Sequence, residues 1–251
     1  MKYFKIMILL FIFLFVGCSS VNSDGYNTQV VSSNSKGYNY ASTSNKDEEI
    51  LMSNIMVYNR NYSKFLGIKY KEHNTYGSGF IFKEDENHYY VLTNNHVVSY
   101  DYSYNYHQII VEDYYGNLYE GKIITSDSRY DLAVVRFNKS VKLKVLDIVD
   151  NDGLIGEEVR SMGNPNSTKN VINKGRLNCY SIVNVNSDKS NVNFDVLVHS
   201  ALIRNGSSGS ALLNNHNKVV GVTFAGVFDD KDNFITGYAI PASKINEFLN
   251  K

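Results

Sequence analysis

Beyond residue 46 the apolar residues fall in short runs, parted by polar turns rich in Gly, Asn and Asp. The runs Phe80–Phe82, Tyr89–Thr93, Ile109–Glu112, Leu118–Ile124, Leu132–Phe137, Val159–Met162, Phe194–His199, Val219–Phe224 and Ile235–Ile240 favour β-branched and aromatic side chains. They recur roughly every 10–15 residues, and short strands at such spacing predict an all-β fold, a sandwich or a barrel. Only the end departs from this pattern. After Pro241, the apolar Ile245, Phe248 and Leu249 take helical spacing and predict a short C-terminal helix. Polar stretches at Asn138–Lys144 and Asp150–Gly153 mark a link between two halves, with a boundary near 138–153, in a folded region running from Asp47 to Lys251.

Before residue 47 the pattern is different. Lys2 and Lys5 precede an unbroken apolar run, Ile6 to Val16, too short to span a hydrocarbon core, which needs about 20 residues of helix. A charged start, a short apolar stretch and then small residues predict a signal peptide over residues 1–17. Phe15-Val16-Gly17-Cys18 resembles a bacterial lipobox, in which the cysteine is lipidated and becomes the first residue of the mature chain. Cys18 is thus the expected lipidation site. Residues 18–46, rich in Ser and Asn, bury too little apolar surface to offset their ordering entropy and are expected to act as a flexible linker. The chain is expected outside the cytoplasm, held to a membrane by its lipid, in the periplasm or at the cell surface.

Composition narrows the function classes. With 43% hydrophobic and 20% charged residues, the chain is globular. Its 25 basic and 25 acidic residues leave no positive field to hold nucleic acid. Two cysteines, Cys18 and Cys179, cannot form the disulfide framework that staples small secreted domains, and Cys179 reads as a small buried hydrophobe. His73, His88, His107, His199 and His216 show no paired metal-ligand spacing, so no metal or organic cofactor is expected. Asp229-Asp230-Lys231-Asp232-Asn233 lacks the Gly and terminal Glu of a calcium loop and reads as a hairpin turn. Tyr100, Tyr102, Tyr104 and Tyr106 alternate after His96 and read as a surface loop or strand face.

Three segments carry candidate chemistry: Thr93-Asn94-Asn95-His96-Val97-Val98, Asp131-Leu132-Ala133-Val134-Val135 and Asn205-Gly206-Ser207-Ser208-Gly209-Ser210-Ala211. Between and around them, in order, stand Gly77-Ser78-Gly79-Phe80, Met162-Gly163-Asn164-Pro165 and Gly237-Tyr238-Ala239-Ile240-Pro241. Together they resemble the chymotrypsin-like serine proteases, and most of all the bacterial HtrA-type trypsin-like peptidases. The resemblance implies two six-stranded antiparallel β-barrels with a short C-terminal helix, and a serine endopeptidase acting on polypeptides. It also implies that His96 is general base and then acid, that Asp131 orients it, that Ser208 attacks, and that the Gly206 and Ser208 amides form the oxyanion hole. These residue types suit acyl transfer. A serine hydroxyl is a weak nucleophile near neutral pH and needs an imidazole to take its proton, and a buried carboxylate fixes the imidazole tautomer. The chain order His, Asp, Ser is that of chymotrypsin-type enzymes.

Several positions depart from the family. Ser207 replaces the usual Asp or Asn, so activation by a freshly cut N-terminal amine is not expected. Ser210 replaces a Gly, and Ser200, beside His199, stands where an Asp is usual. By motif spacing the S1 pocket should have Leu202 at its base and the strand Val222–Ala225 as its wall, with Thr223 and Phe224 facing the substrate. No Asp is present to pair Arg or Lys. Thr223 stands where glutamyl endopeptidases carry His, so a small or medium apolar P1 residue is expected rather than Glu. A glutamyl-endopeptidase-type secreted protease and a non-catalytic surface binding protein or adhesin on a protease scaffold remain the alternative readings. No PDZ domain is expected after the C-terminal helix, and the oligomeric state, a trimer included, stays open.

Overall fold

The computed structural model describes residues 45–251. The expected signal peptide, Cys18 and all but the last two residues of the expected linker lie outside the described residues. A short helix α1 (Asn45–Leu51) leads into two closed, antiparallel six-stranded barrels. The first holds β1 (Asn54–Phe65), β2 (Ile68–Glu84), β3 (His88–Thr93), β4 (Tyr106–Glu112), β5 (Leu118–Asp127) and β6 (Leu132–Asn138), in the order β1-β2-β3-β6-β5-β4. A four-residue helix α2 (Asn95–Val98) follows β3. The second holds β7 (Glu158–Gly163), β8 (Val171–Ile182), β9 (Asp195–His199), β10 (Ala211–Leu213), β11 (Val219–Phe228) and β12 (Phe234–Pro241), ordered β10-β11-β12-β9-β8-β7. Helix α3 (Ala242–Leu249) closes the chain, burying Ile245 and Phe248 as their spacing requires.

Side-chain alternation along the strands builds three cores from one set of ladders. Ile55, Val57, Ile81, Val91, Val111 and Val135 fill the first barrel. Val159, Leu177, Leu197, Leu212, Val220 and Ala239 fill the second. The residues between them, such as Phe80, Leu92 and Val134 facing Met162, Leu213 and Ile240, form a third core that joins the barrels. The apolar pattern missed β1 because its inward positions past Val57 are Asn59, Asn61 and Ser63, all buried. It missed β8 altogether because that strand alternates polar residues outward. The segment from Asn138 to Glu158 crosses from β6 to β7, pinned to both barrels by Leu146 N–H to Ile81 C=O (2.9 Å) and Val149 N–H to Val219 C=O (3.0 Å).

No helix among the described residues is long and apolar enough to cross a membrane. Asp229 accepts from the backbone N–H groups of Lys231 and Asn233 and so closes the β11–β12 hairpin turn. Cys179 is half-buried on β8.

His199, on β9, is fully buried against Gly237 of β12, and burial pushes its imidazole pKa down to about 4. An unfolded histidine titrates near 6.5, so between these values the unfolded chain binds the extra proton. Stability from this site is therefore whole above about pH 6.5, falls as the pH drops toward 4, and levels off below, by roughly 3 kcal/mol in all. His199→Phe keeps a flat ring but no titrating group. Urea midpoints measured from pH 7 to 4 should fall less steeply for His199→Phe than for the parent, and parallel curves would refute the assignment.

Candidate active site

The cleft between the barrels is built from three turns. The first follows β3, where α2 carries His96. Asn94 Nδ2 donates to Asp131 C=O (2.9 Å), and Ser99 Oγ donates to Asn95 C=O (2.7 Å), closing the turn. Asn59 of β1 donates through Nδ2 to Val97 C=O and Ser99 C=O, both at 2.9 Å, and ties the helix to the barrel wall.

The second turn ends at Asp131, immediately before β6. Its φ of +51° is left-handed, a conformation that Asp tolerates better than most residues. The side chain has no solvent exposure. One carboxylate oxygen accepts from the His96 backbone N–H (2.9 Å) and the other from His96 Nδ1 (2.7 Å). A carboxylate only accepts, so Nδ1 carries the imidazole proton and Nε2 keeps its lone pair. The ring itself is partly open to the cleft, 30% exposed.

The third turn carries Ser208. Ser207 holds it from within: its N–H donates to Arg204 C=O (2.9 Å), and its hydroxyl accepts from Arg204 N–H (3.0 Å). Gly209 N–H donates to Thr223 C=O (2.8 Å), and Ser208 C=O accepts from Ser78 N–H (2.7 Å). The Ser208 hydroxyl faces the Phe224 carbonyl at 3.4 Å. Gly206 has φ +90°, and a Cβ there would stand 2.4 Å from the Tyr76 ring and 2.7 Å from Asn164 C=O, so no other residue fits.

A cleft of about 680 Å³ brings together His96, Gly206, Ser207, Ser208 and Thr223. Residues 77–222 match the sequence profile of the trypsin-like peptidase domain. This chain belongs to the trypsin-like peptidases. It is 31% identical over 170 residues to a probable serine protease do-like of Buchnera aphidicola subsp. Acyrthosiphon pisum, covering 67% of this chain and 34% of that protein. It is 28% identical over 177 residues to the periplasmic serine endoprotease DegP of Escherichia coli K12, covering 70% and 35%. It is 31% identical over 183 residues to the serine protease Do-like HtrA of Bacillus subtilis, covering 70% and 39%. The chain thus spans little more than a third of the length of these relatives.

Two of the three residues expected in the S1 pocket of this trypsin-like peptidase lie elsewhere. Thr223 lines the cleft, but Leu202 and Phe224 do not. On β11 alternate residues face opposite sides, so Phe224 turns into the core between the barrels, 5% exposed, and offers the site only its carbonyl. The cleft wall there is Ile203, Ala225, Gly226 and Phe228. Ile203 Cδ1 comes within 2.8 Å of where a Cβ on Gly226 would stand, so these two residues pack side by side in the wall. The sequence reading also did not single out Ser78, Asn164 and Asn166, which brace the Ser208 turn from outside the cleft. Ser78 and Asn164 sit inside segments that carried the resemblance, but nothing in their spacing distinguishes them from ordinary turn residues.

Proposed function

We propose that this chain is a serine endopeptidase that works through His96, Asp131 and Ser208. The observation that carries the proposal is a fully buried Asp131 carboxylate gripping both the backbone and the ring of His96, on a cleft shared with Ser208. A binding protein has no use for an unexposed carboxylate paired to a half-open imidazole. In the reaction His96 Nε2 takes the Ser208 proton as the hydroxyl attacks the peptide carbon, then returns it to the leaving amine. Asp131 holds the ring and stabilises the imidazolium, and the Gly206 and Ser208 N–H groups hold the oxyanion. Water then repeats the sequence to release the acyl group from Ser208.

The wall of Ile203, Ala225 and Gly226 beside Thr223, with no acid among these four, supports a small or medium apolar P1 residue. Exposed apolar segments of unfolded or surface proteins are substrates of that kind. The same proposal places residues 1–17 as a cleaved signal peptide, a lipid on Cys18, a linker to residue 46 and the peptidase over 47–251, held outside the cytoplasm. A Cys18→Ala variant should then leave the membrane fraction.

A fluorophosphonate should label Ser208 and stop hydrolysis of unfolded casein by the chain. Absence of hydrolysis by the folded chain, or hydrolysis that continues after Ser208 is labelled, would refute the endopeptidase. Sequencing of the cleavage sites should show Ala, Val or similar residues at P1. A dominant Arg, Lys or Glu there would refute the pocket reading.

A further inference from the structure

We propose that Ser78, on β2 of the first barrel, is the positioning residue that sets the oxyanion hole carried by the second. The proposal rests on the endopeptidase reading above. Ser78 has no solvent exposure, and its hydroxyl has one proton and two lone pairs. Asn164 supplies two donors to that oxygen, its backbone N–H at 2.8 Å and Nδ2 at 3.3 Å. With the acceptor side filled by groups that only donate, the Ser78 proton goes to its remaining neighbour, the Gly206 carbonyl at 2.7 Å.

Asn164 is itself held in one orientation. Its Nδ2 also donates to Ile55 C=O (3.0 Å), while its Oδ1 accepts from Asn54 Nδ2 (2.8 Å) and Asn170 N–H (3.1 Å). A chain of fixed donors thus runs from Asn54 on β1 through Asn164 and Ser78 to Gly206. Ser78 grips the loop a second time through its backbone N–H on Ser208 C=O (2.7 Å).

The consequence follows from peptide geometry. In a trans peptide the N–H points opposite to the C=O, and the described chain contains no cis bond. The Asn205 carbonyl is drawn to Asn166 N–H at 2.6 Å, which turns the Gly206 N–H to the other side. The Gly206 carbonyl is drawn to Ser78, which turns the Ser207 N–H back to Arg204 C=O. The two peptide planes meet at Gly206, a residue without Cβ at φ +90° and so the easiest point in the loop to rotate. The Ser78 hydroxyl holds one of those planes. Without it the Gly206 carbonyl loses its buried donor and the Gly206–Ser207 peptide can turn; the Gly206 N–H, in the neighbouring plane, is then anchored only through Asn205 C=O on Asn166 N–H and drifts out of line with an oxyanion.

Deleting an oxyanion donor costs about 10²–10³-fold in rate, and misaiming one should cost less. Ser78→Ala is expected to lower kcat roughly 10–100-fold with KM nearly unchanged, because the lost interaction exists only in the transition state. Ser78→Thr, which keeps the hydroxyl, should recover most of it, and Ser78→Cys, a weak donor of similar shape, should fall between. A peptide aldehyde tests the hole directly. Ser208 Oγ adds to its carbon, His96 takes the proton, and the aldehyde oxygen becomes the oxyanion. Its affinity should fall in Ser78→Ala by the same factor as kcat/KM, while the matching peptide alcohol binds as before.

Independently of turnover, the Gly206 amide resonance should shift or broaden in Ser78→Ala and return in Ser78→Thr. Unchanged kcat in Ser78→Ala or in Ser78→Cys overturns the proposal, as does an equal loss of aldehyde and alcohol affinity. A parent chain without turnover whose Gly206 resonance still responds to Ser78 would refute the endopeptidase reading instead. An unmoved resonance would refute the role of Ser78.

Discussion

Asp131→Asn is expected to lower kcat by about 10⁴-fold while the chain stays folded. The loss comes from one proton. Asparagine keeps an oxygen for the His96 backbone N–H, which Asp131 now binds at 2.9 Å, and this forces its amide nitrogen toward the ring. Facing a donor, His96 Nδ1 must become the acceptor, so the imidazole proton moves to Nε2. An Nε2–H cannot take the Ser208 proton. Asparagine is the clean replacement because position 131 has φ +51°, which Asn tolerates nearly as well as Asp. Alanine or valine there would mix backbone strain with lost chemistry. Single-turnover acylation rates on a peptide ester should show the fall in the acylation step itself. A kcat within tenfold of the parent would mean that Asp131 does not fix the tautomer.

How much of this was readable beforehand depended on whether the signal was local. The C-terminal helix was readable because Ile245, Phe248 and Leu249 share one face of a single turn pattern. Strands such as β3 and β6 were readable because their runs are apolar on both faces, one toward a barrel interior and one toward the other barrel. β1 was not, because Asn59 and Asn61 occupy inward positions and satisfy their amides on Val97, Ser99 and each other instead of packing. His96, Asp131 and Ser208 were legible as motifs. The pairing of His96 with Asp131, and the cleft that His96 shares with Ser208, were not, since they depend on ladders that join residues 35 apart and on contacts between the barrels.

The S1 pocket shows the same limit at finer scale. Counting back from Ser208 gave Leu202, but one residue decides which side of the turn a side chain takes. Ile203 faces the cleft instead. On β11 the period of two sends Thr223 to the site and Phe224 to the core, a choice set by register with β12, where Thr223 pairs with Ala239. Ser78 was hidden for a different reason. A serine between two glycines reads as turn chemistry, and its hydrogen-bond partners lie 86 and 128 positions away.

The glycine that seats Ser208 is where the fold should be least forgiving. At Gly209, φ is +89°, and an added Cβ would stand 1.9 Å from Ser78 C=O and 2.5 Å from Thr93 Oγ1. Neither atom can retreat. Thr93 Oγ1 donates to that same Ser78 carbonyl at 2.6 Å, and Ser78 N–H is committed to Ser208 C=O. Gly67, at the tip of the β1–β2 hairpin, has nearly the same φ, +82°, with nothing within 4 Å of a Cβ. The pair separates two costs. Gly67→Ala should lose only the left-handed backbone term, about 1–2 kcal/mol. Gly209→Ala should lose that and the overpacking of a rigid contact, about 3–5 kcal/mol together. Urea unfolding should show both midpoints lowered, Gly209→Ala by far the more. Activity should separate them further, because relief of the clash at Gly209 must move either Ser78 or Ser208, and each displacement spoils the site. A Gly209→Ala chain as stable as Gly67→Ala would mean that β2 and the Ser208 turn are not held together as tightly as these contacts require.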